Sequence, residues 1–182
     1  METLLWALSL IHFVVALLWI RGTFWVRDLH TDNGMRLRPL PNHEPDPASP
    51  SLTVLIAAHN EEERIHTCLR RVLSQQYGNM RVTVVDDRSH DRTAERVRGI
   101  MAREPRVNLV EVHTLPEGWI GKSHALAVAA AETKSDYLLF MDCDCRLVPG
   151  AIAAVMNKVV GEKIEFLSLW PRLDLQSASE RL

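Results

Sequence analysis

Residues 52–87 read LTVLIAAHNEEERIHTCLRRVLSQQYGNMRVTVVDD. The stretch opens on Leu52 to Ala57 and closes on Arg81 to Val85, short runs of the kind that a parallel sheet buries on both faces. Between them Ile65, Cys68, Leu69, Val72 and Leu73 recur at the i, i+3, i+4, i+7, i+8 spacing of an amphipathic helix. The pattern predicts strand, helix, strand, with Asn60 capping the helix and Tyr77-Gly78-Asn79 ending it. The alternation continues downstream. Asp91 can cap a helix carrying Ala94, Val97 and Met101. Val107 to Val112 then reads as a strand, Ser123 to Thr133 as an alanine-rich helix and Tyr137 to Met141 as a strand. Ala151 to Val160 reads as a helix and Ile164 to Leu169 as a further strand. Such alternation implies an α/β fold, a mostly parallel sheet with helices on both faces. In sheets of this kind ligands bind at the carboxyl edge, so the residues just after each strand matter most.

Upstream, Thr3 to Ile20 (TLLWALSLIHFVVALLWI) carries no formal charge. At helical rise it covers roughly 27 Å, close to one hydrocarbon core, and Trp6, Trp19, Phe24 and Trp25 lie towards its ends, where aromatic rings favour the membrane interface. A cleavable signal would want a basic start and small residues at a cleavage site, and neither is present. Residues 1–26 are therefore expected to form a single transmembrane anchor. Arg21 and Arg27 follow the span, which places the rest of the chain in the cytoplasm. Residues 27–50 include Pro39, Pro41, Pro45, Pro47 and Pro50, a density that excludes helix and central strand and reads as a semi-rigid linker. Residues 51–182 form the globular part.

The chain has 182 residues, with 21 Lys plus Arg against 23 Asp plus Glu, a balance that lacks the broad basic footprint of a nucleic-acid binder. With 47% hydrophobic residues it is not a disordered acidic segment either. Cys68, Cys143 and Cys145 are too few for a disulfide framework, which fits a reducing compartment.

Polar residues gather at the strand ends. His59-Asn60-Glu61-Glu62 follows the first strand, and a capped helix start accounts for Asn60 and Glu61. Asp86-Asp87-Arg88-Ser89 follows the second; adjacent acids can accept hydrogen bonds from a base or ribose, and an Asx turn explains them as well. Asp142-Cys143-Asp144 follows the fourth strand. If the chain stays extended there, both carboxylates share one face, hard oxygen ligands suited to Mg²⁺ or Mn²⁺ held jointly with a diphosphate. A thiolate site at Cys143 and Cys145 lacks the usual C-x₂-C spacing. Gly121-Lys122 at a helix start resembles a phosphate-binding turn, although neither the Walker spacing nor G-x-G-x-x-G is met.

The ordered segments TVLIAAHNEEERI, VTVVDDRSHDRTAE, GWIGKSHAL and YLLFMDCDCRLVPGAI resemble the donor-binding half of a family 2 glycosyltransferase with the Rossmann-like GT-A nucleotide-diphospho-sugar fold. The resemblance spans Leu52 to about Val160, and GW-x-GK is most similar to the membrane-attached hopanoid, carotenoid and lipid glycosyltransferase branch. It implies inverting, metal-dependent transfer of a sugar from a nucleotide-sugar donor, a UDP-sugar, to a lipid or other membrane-associated acceptor; the charge balance already leaves no nucleic-acid partner. It implies that Ala58, Asn60 and Glu61 line the nucleoside pocket and that Asp87, with Asp86 beside it, contacts the uracil. Lys122 would lie near the diphosphate. Asp142 and Asp144 would be the D-x-D pair, Asp144 on the Mg²⁺ or Mn²⁺ ion and Asp142 nearer the ribose and sugar. Arg88 stands where the family commonly has glycine. The catalytic base and an acceptor segment are expected beyond Leu182, so that the 182 residues alone bind donor and transfer poorly. The alternative is a non-catalytic, membrane-tethered nucleotide-sugar binding module.

Overall fold

The computed structural model describes residues 37–42 and 44–169. In chain order the elements are β1 (Leu52–Ala58), α1 (Ile65–Leu73), β2 (Met80–Asp87), α2 (Thr93–Met101), β3 (Val107–Val112), α3 (Gly121–Glu132), β4 (Tyr137–Asp142) and α4 (Ala151–Gly161). The strands form one sheet in the order β3-β2-β1-β4. All pairings are parallel, as the alternation implies. β1 runs against β2 from Leu52↔Met80 to Ala58↔Asp86 and against β4 from Leu52↔Tyr137 to Ala57↔Asp142. β2 runs against β3 from Val82↔Val107 to Asp87↔Val112.

Alternation along the strands sorts side chains into two cores. On one face Val54, Ile56, Val82, Val84 and Met141 pack against Ile65, Leu69 and Val72 of α1, Val97 of α2, and Ile152 and Met156 of α4. On the other, Leu55, Val85 and Val112 meet Ala125 and Ala129 of α3. Small alanines let α3 lie close to the sheet. The chain winds outward through β2 and β3, then crosses back by α3 to set β4 on the far side of β1. The order reverses between β1 and β4, and a crevice opens at such a point beyond the carboxyl ends of the strands. Ala58 and Asp142 stand there.

The Asp136 carboxylate closes the amino end of the β1–β4 pair, accepting from Ser51 N–H at 2.8 Å and from Ser51 Oγ at 2.7 Å. The chain before β1 is also held. Leu40 N–H donates to Gly150 O at 3.1 Å, Asn79 Nδ2 to Ser49 O at 3.1 Å, and Tyr77 Oη to Pro50 O at 2.8 Å. Among the described residues no helix is long and apolar enough to cross a membrane. The expected anchor, residues 1–26, lies outside the described residues.

Three local expectations are corrected. Asn60 does not cap α1, whose N-cap position is Arg64 and which has no side-chain cap. Asn60 has φ 56° and turns its amide towards the loop after β2, where Oδ1 accepts from His90 N–H at 2.8 Å. Ile164–Leu169 is not a strand: its backbone finds no ladder, and with Phe166 86% and Leu169 45% exposed the run buries too little apolar surface to hold it against the sheet. The alanine-rich helix begins at Gly121, two residues before the expected Ser123, so Lys122 belongs to its first turn.

Gly150 has φ 76°, and a Cβ placed on it would lie 2.6 Å from Leu40 N. Gly150→Ala is expected to cost about 2 kcal/mol or more, from the left-handed backbone and the clash together. A urea midpoint equal to wild type would show that the Leu40 contact does not matter to the fold.

Candidate functional site

The carboxyl edge is built from two loops tied to one another. Asn60 N–H donates to Ser89 Oγ at 2.9 Å, Glu61 N–H to Thr93 Oγ1 at 2.9 Å, and Glu62 N–H to Asp91 Oδ2 at 3.0 Å. In the other direction Arg92 N–H donates to Glu62 Oε2 at 3.0 Å. Asp91 also accepts from Thr93 N–H at 2.9 Å, so it serves the first turn of α2 as expected, one residue ahead of the assigned N-cap Arg92. Burial raises the Asp91 pKa, but hydrogen bonds from Thr93 and from Glu62 N–H more than offset this and hold it below the usual carboxylate range. Glu61 is drawn back onto Arg64, 3.2 Å away. Asn60 and Glu61 thus act first as loop staples, which their expected place beside a nucleoside accommodates.

Asp86 and Asp87 are both buried, 6% and 5% exposed, and they do different things. By strand alternation Asp86 follows Val84 onto the face of α1, beside Ala58, whereas Asp87 follows Val85 onto the face of α3. The Asp87 carboxylate is taken by Arg88, whose Nε donates to Oδ1 at 2.7 Å and Nη2 to Oδ2 at 3.2 Å. That fork holds the Asp87 pKa below its ordinary value despite burial. His59 Nδ1 lies 2.5 Å from the Asp87 carbonyl oxygen. By contrast, Asp86 Oδ1 is buried without a hydrogen-bond partner. A buried carboxylate oxygen left unmatched is costly, so the free acceptor at this edge belongs to Asp86 and not to Asp87.

Arg88 has φ 55°, a left-handed backbone that glycine adopts freely and arginine does not. This is a physical reason for glycine to be common at the position. The ion pair with Asp87 and the bond from Arg88 N–H to Val112 O, 3.1 Å, hold the strained residue in place. Gly121 follows from the same crowding: a Cβ there would overlap Asp87 Oδ2 and lie 2.7 Å from Arg88 Nη2.

Next to Gly121, Lys122 Nζ forms an ion pair with Asp142 Oδ1, both side chains 53% exposed. Asp87, Gly121, Lys122 and Asp142 therefore form one run of contacts across the switch point. An exposed pair of this kind contributes about 0–1 kcal/mol, so both partners remain available to a ligand. α3 receives no side-chain cap, and Lys122 stands at its amino end. Ahead of it Trp119, 49% exposed, stacks edge-on against His124 with centroids 5.4 Å apart.

The chain does not stay extended through Asp142-Cys143-Asp144. β4 ends at Asp142, and Cys145 N–H donates to Asp142 O at 3.1 Å, closing a turn. The turn still leaves Asp142 and Asp144 exposed and Cys143 buried. Asp142 turns towards Lys122 of α3. Among the described residues no three His, Cys, Asp or Glu side chains converge to hold a metal ion. Two exposed carboxylates fit a hard divalent cation only if a ligand and water supply the remaining oxygens. The Cys68 thiol beside it and burial push the Cys143 pKa up, away from a thiolate ligand.

Residues 53–167 match the Glycosyl transferase family 2 model. The chain belongs to glycosyl transferase family 2. A 4,4'-diaponeurosporenoate glycosyltransferase of Staphylococcus haemolyticus (strain JCSC1435) is 43% identical over 99 residues, 53% of this chain and 25% of that protein. An N-acetylglucosaminyltransferase of Sinorhizobium fredii (strain NBRC 101917 / NGR234) is 33% identical over 115 residues, 62% of this chain and 27% of that one. The chain thus spans about a quarter of the length of these curated relatives. Among solved structures, a mannosyltransferase of Pyrobaculum calidifontis in complex with GDP-Man and Mn²⁺ superimposes with TM-score 0.56 at 26% identity, covering 81% of this chain and 40% of that one. The fold is therefore the α/β fold of family 2 glycosyltransferases.

Sequence reading missed the fork of Arg88 on Asp87 and the opposite facing of Asp86. The strand period of two carries the second, since neighbours in a strand point to opposite faces. Arg88→Gly removes strain and ion pair together. A carboxylate with a depressed native pKa contributes stability above its unfolded value, 3.8, and loses it as pH falls through the native value. In Arg88→Gly the Asp87 carboxyl is expected to titrate at higher pH by carbon-detected NMR, and less stability should be lost below about pH 4. An Asp87 titration unmoved by the substitution would mean that the fork does not set its ionisation.

Proposed function

We propose that this chain is the donor-binding part of a membrane-associated, inverting glycosyltransferase that moves a hexosyl group from a UDP-sugar to a lipid acceptor. The observation that carries the reading is that one carboxyl edge of the sheet bears both an orphaned buried acceptor, Asp86 Oδ1, and the exposed pair of Lys122 and Asp142. A nucleotide sugar offers the complementary set: base N–H donors for Asp86, and a diphosphate for Lys122 and the amino end of α3. Asp87, locked by Arg88 against Gly121, positions the start of α3, while Ala58, Asn60 and Glu61 form the wall of the nucleoside side. Asp144, with Asp142, would hold Mg²⁺ or Mn²⁺, which supplies charge neutralisation for the leaving diphosphate. The S. haemolyticus relative, by its name, acts on a carotenoid acid, which supports an apolar acceptor here. The P. calidifontis relative, solved with GDP-Man and Mn²⁺, supports the donor and metal classes. The uncharged segment from Thr3 to Ile20 supports attachment to a membrane, with the domain on the cytoplasmic side.

Titration with UDP-glucose and with GDP-mannose, with and without Mn²⁺, tests the donor site. Lys122→Ala is expected to weaken binding about ten- to a hundredfold, the worth of one charge-assisted hydrogen bond. Asp144→Ala should abolish the Mn²⁺-dependent part. Metal-independent binding equal in all three proteins would reject the site.

A further inference from the structure

The loop after β2 seats Arg88 against the first residue of α3, its Nη2 lying 2.7 Å from where a Cβ on Gly121 would stand. The guanidinium is 33% exposed, and the Asp87 carboxylate behind it only 7%. Asp87 takes Nε–H at 2.7 Å and one Nη2–H at 3.2 Å. An arginine carries five N–H groups, so this fork leaves the opposite edge, both hydrogens of Nη1 and the second of Nη2, without a partner among the described residues. α3 adds donors of its own. Its first turn is closed by His124 N–H on Ile120 O, 2.9 Å, so the N–H groups of Gly121, Lys122 and Ser123 have no intrahelical acceptor, and no side chain caps them. Cations are disfavoured at the amino end of a helix, yet Arg88 and Lys122 both stand at this one, the first held by Asp87 and the second by Asp142. Arg88 does so on a left-handed backbone, φ 55°, that glycine would relieve.

We propose that Arg88 is a donor-binding residue whose free guanidinium edge holds the diphosphate, and that Asp87 is the positioning residue that aims it. Both roles rest on the donor site described under Proposed function and deepen it. The free edge of a guanidinium offers parallel N–H groups that match two phosphate oxygens at once, whereas Lys122 supplies a point charge. The fork from Asp87 fixes the plane of that edge before a ligand arrives, which lowers the cost of ordering it on binding. Asp87, expected beside the uracil, then acts on the phosphates through Arg88, and the base is left to the unmatched Oδ1 of Asp86. A strained cation persists where glycine would sit more easily because its charge and its fork are both in use.

The experiment titrates the full chain with uridine and with UDP, which share the base and ribose and differ in the diphosphate. Arg88→Gly is expected to weaken UDP about ten- to a hundredfold, the worth of a charge-assisted contact, and to leave uridine unchanged. Arg88→Lys, which keeps the charge without the fork, should recover part of the loss. Asp87→Asn should weaken UDP in the same direction, and combined with Arg88→Gly it should cost no more than Arg88→Gly alone, because it works through that side chain. Circular dichroism checks each fold; if Arg88→Gly loses it, Arg88→Gln carries the same comparison. UDP affinity equal to wild type, or a loss that uridine shares in full, would overturn the role of Arg88. Losses from Asp87→Asn and Arg88→Gly that add in full would overturn that of Asp87. A wild-type chain that binds neither uridine nor UDP would overturn the donor reading itself, and the proposal with it.

Discussion

The structure depends on β1 being buried on every side. Val54, Leu55 and Ile56 are fully covered, with β2 on one edge, β4 on the other and helices above and below. A strand so enclosed must satisfy all its backbone groups through parallel neighbours, and parallel neighbours require crossovers. Three crossovers from this sequence leave β1 in the interior only if the winding direction reverses once. The reversal sets Asp142 beside Ala57 and Asp86 beside Ala58, so the polar edge is a consequence of the core.

That edge is stiffened mostly through main-chain groups. The loops after β1 and β2 exchange bonds through Asn60, Glu61, Glu62, Ser89, Asp91 and Thr93, and two non-glycine residues, Asn60 and Arg88, take left-handed backbones there. Strain of this sort, of order 1–3 kcal/mol per residue, persists only where the surroundings over-determine it. Here the surroundings are an ion pair and a set of loop-to-loop hydrogen bonds, and they hold Asp87 rigid while leaving Asp86 Oδ1 unmatched. The pair of Lys122 and Asp142 behaves differently: exposed and easily exchanged, it is suited to meeting a charged ligand.

Much of the fold was legible because burial on both strand faces leaves a mark in composition. Val107 to Val112 was read to its observed bounds, and β1 and β4 each extend one residue beyond the reading, to Ala58 and Asp142. The errors lie where local pattern and tertiary contact disagree. Asn60 looks like a helix cap, yet its amide finds a better partner in His90 N–H across a second loop, a contact no linear spacing shows. Ile164–Leu169 has the composition of a strand, but composition does not supply a neighbouring edge. At Asp142-Cys143-Asp144 the inference that Cys143 faces inward agrees with its burial although the extended backbone assumed for it is a turn. The roles of Asp86 and Asp87 were merged because adjacency suggested a shared task, while the pleat separates them.

The stretch from Leu40 to Ser51 is fastened at both ends, to Gly150 by one amide and to Asp136 by another. A segment pinned twice is a closed loop whose length the domain dictates. Engineered proteins that begin at Ser51 would therefore lose a brace at the entrance of α4, a few positions after the carboxylate turn, and the natural place to cut this domain free lies upstream of Leu40.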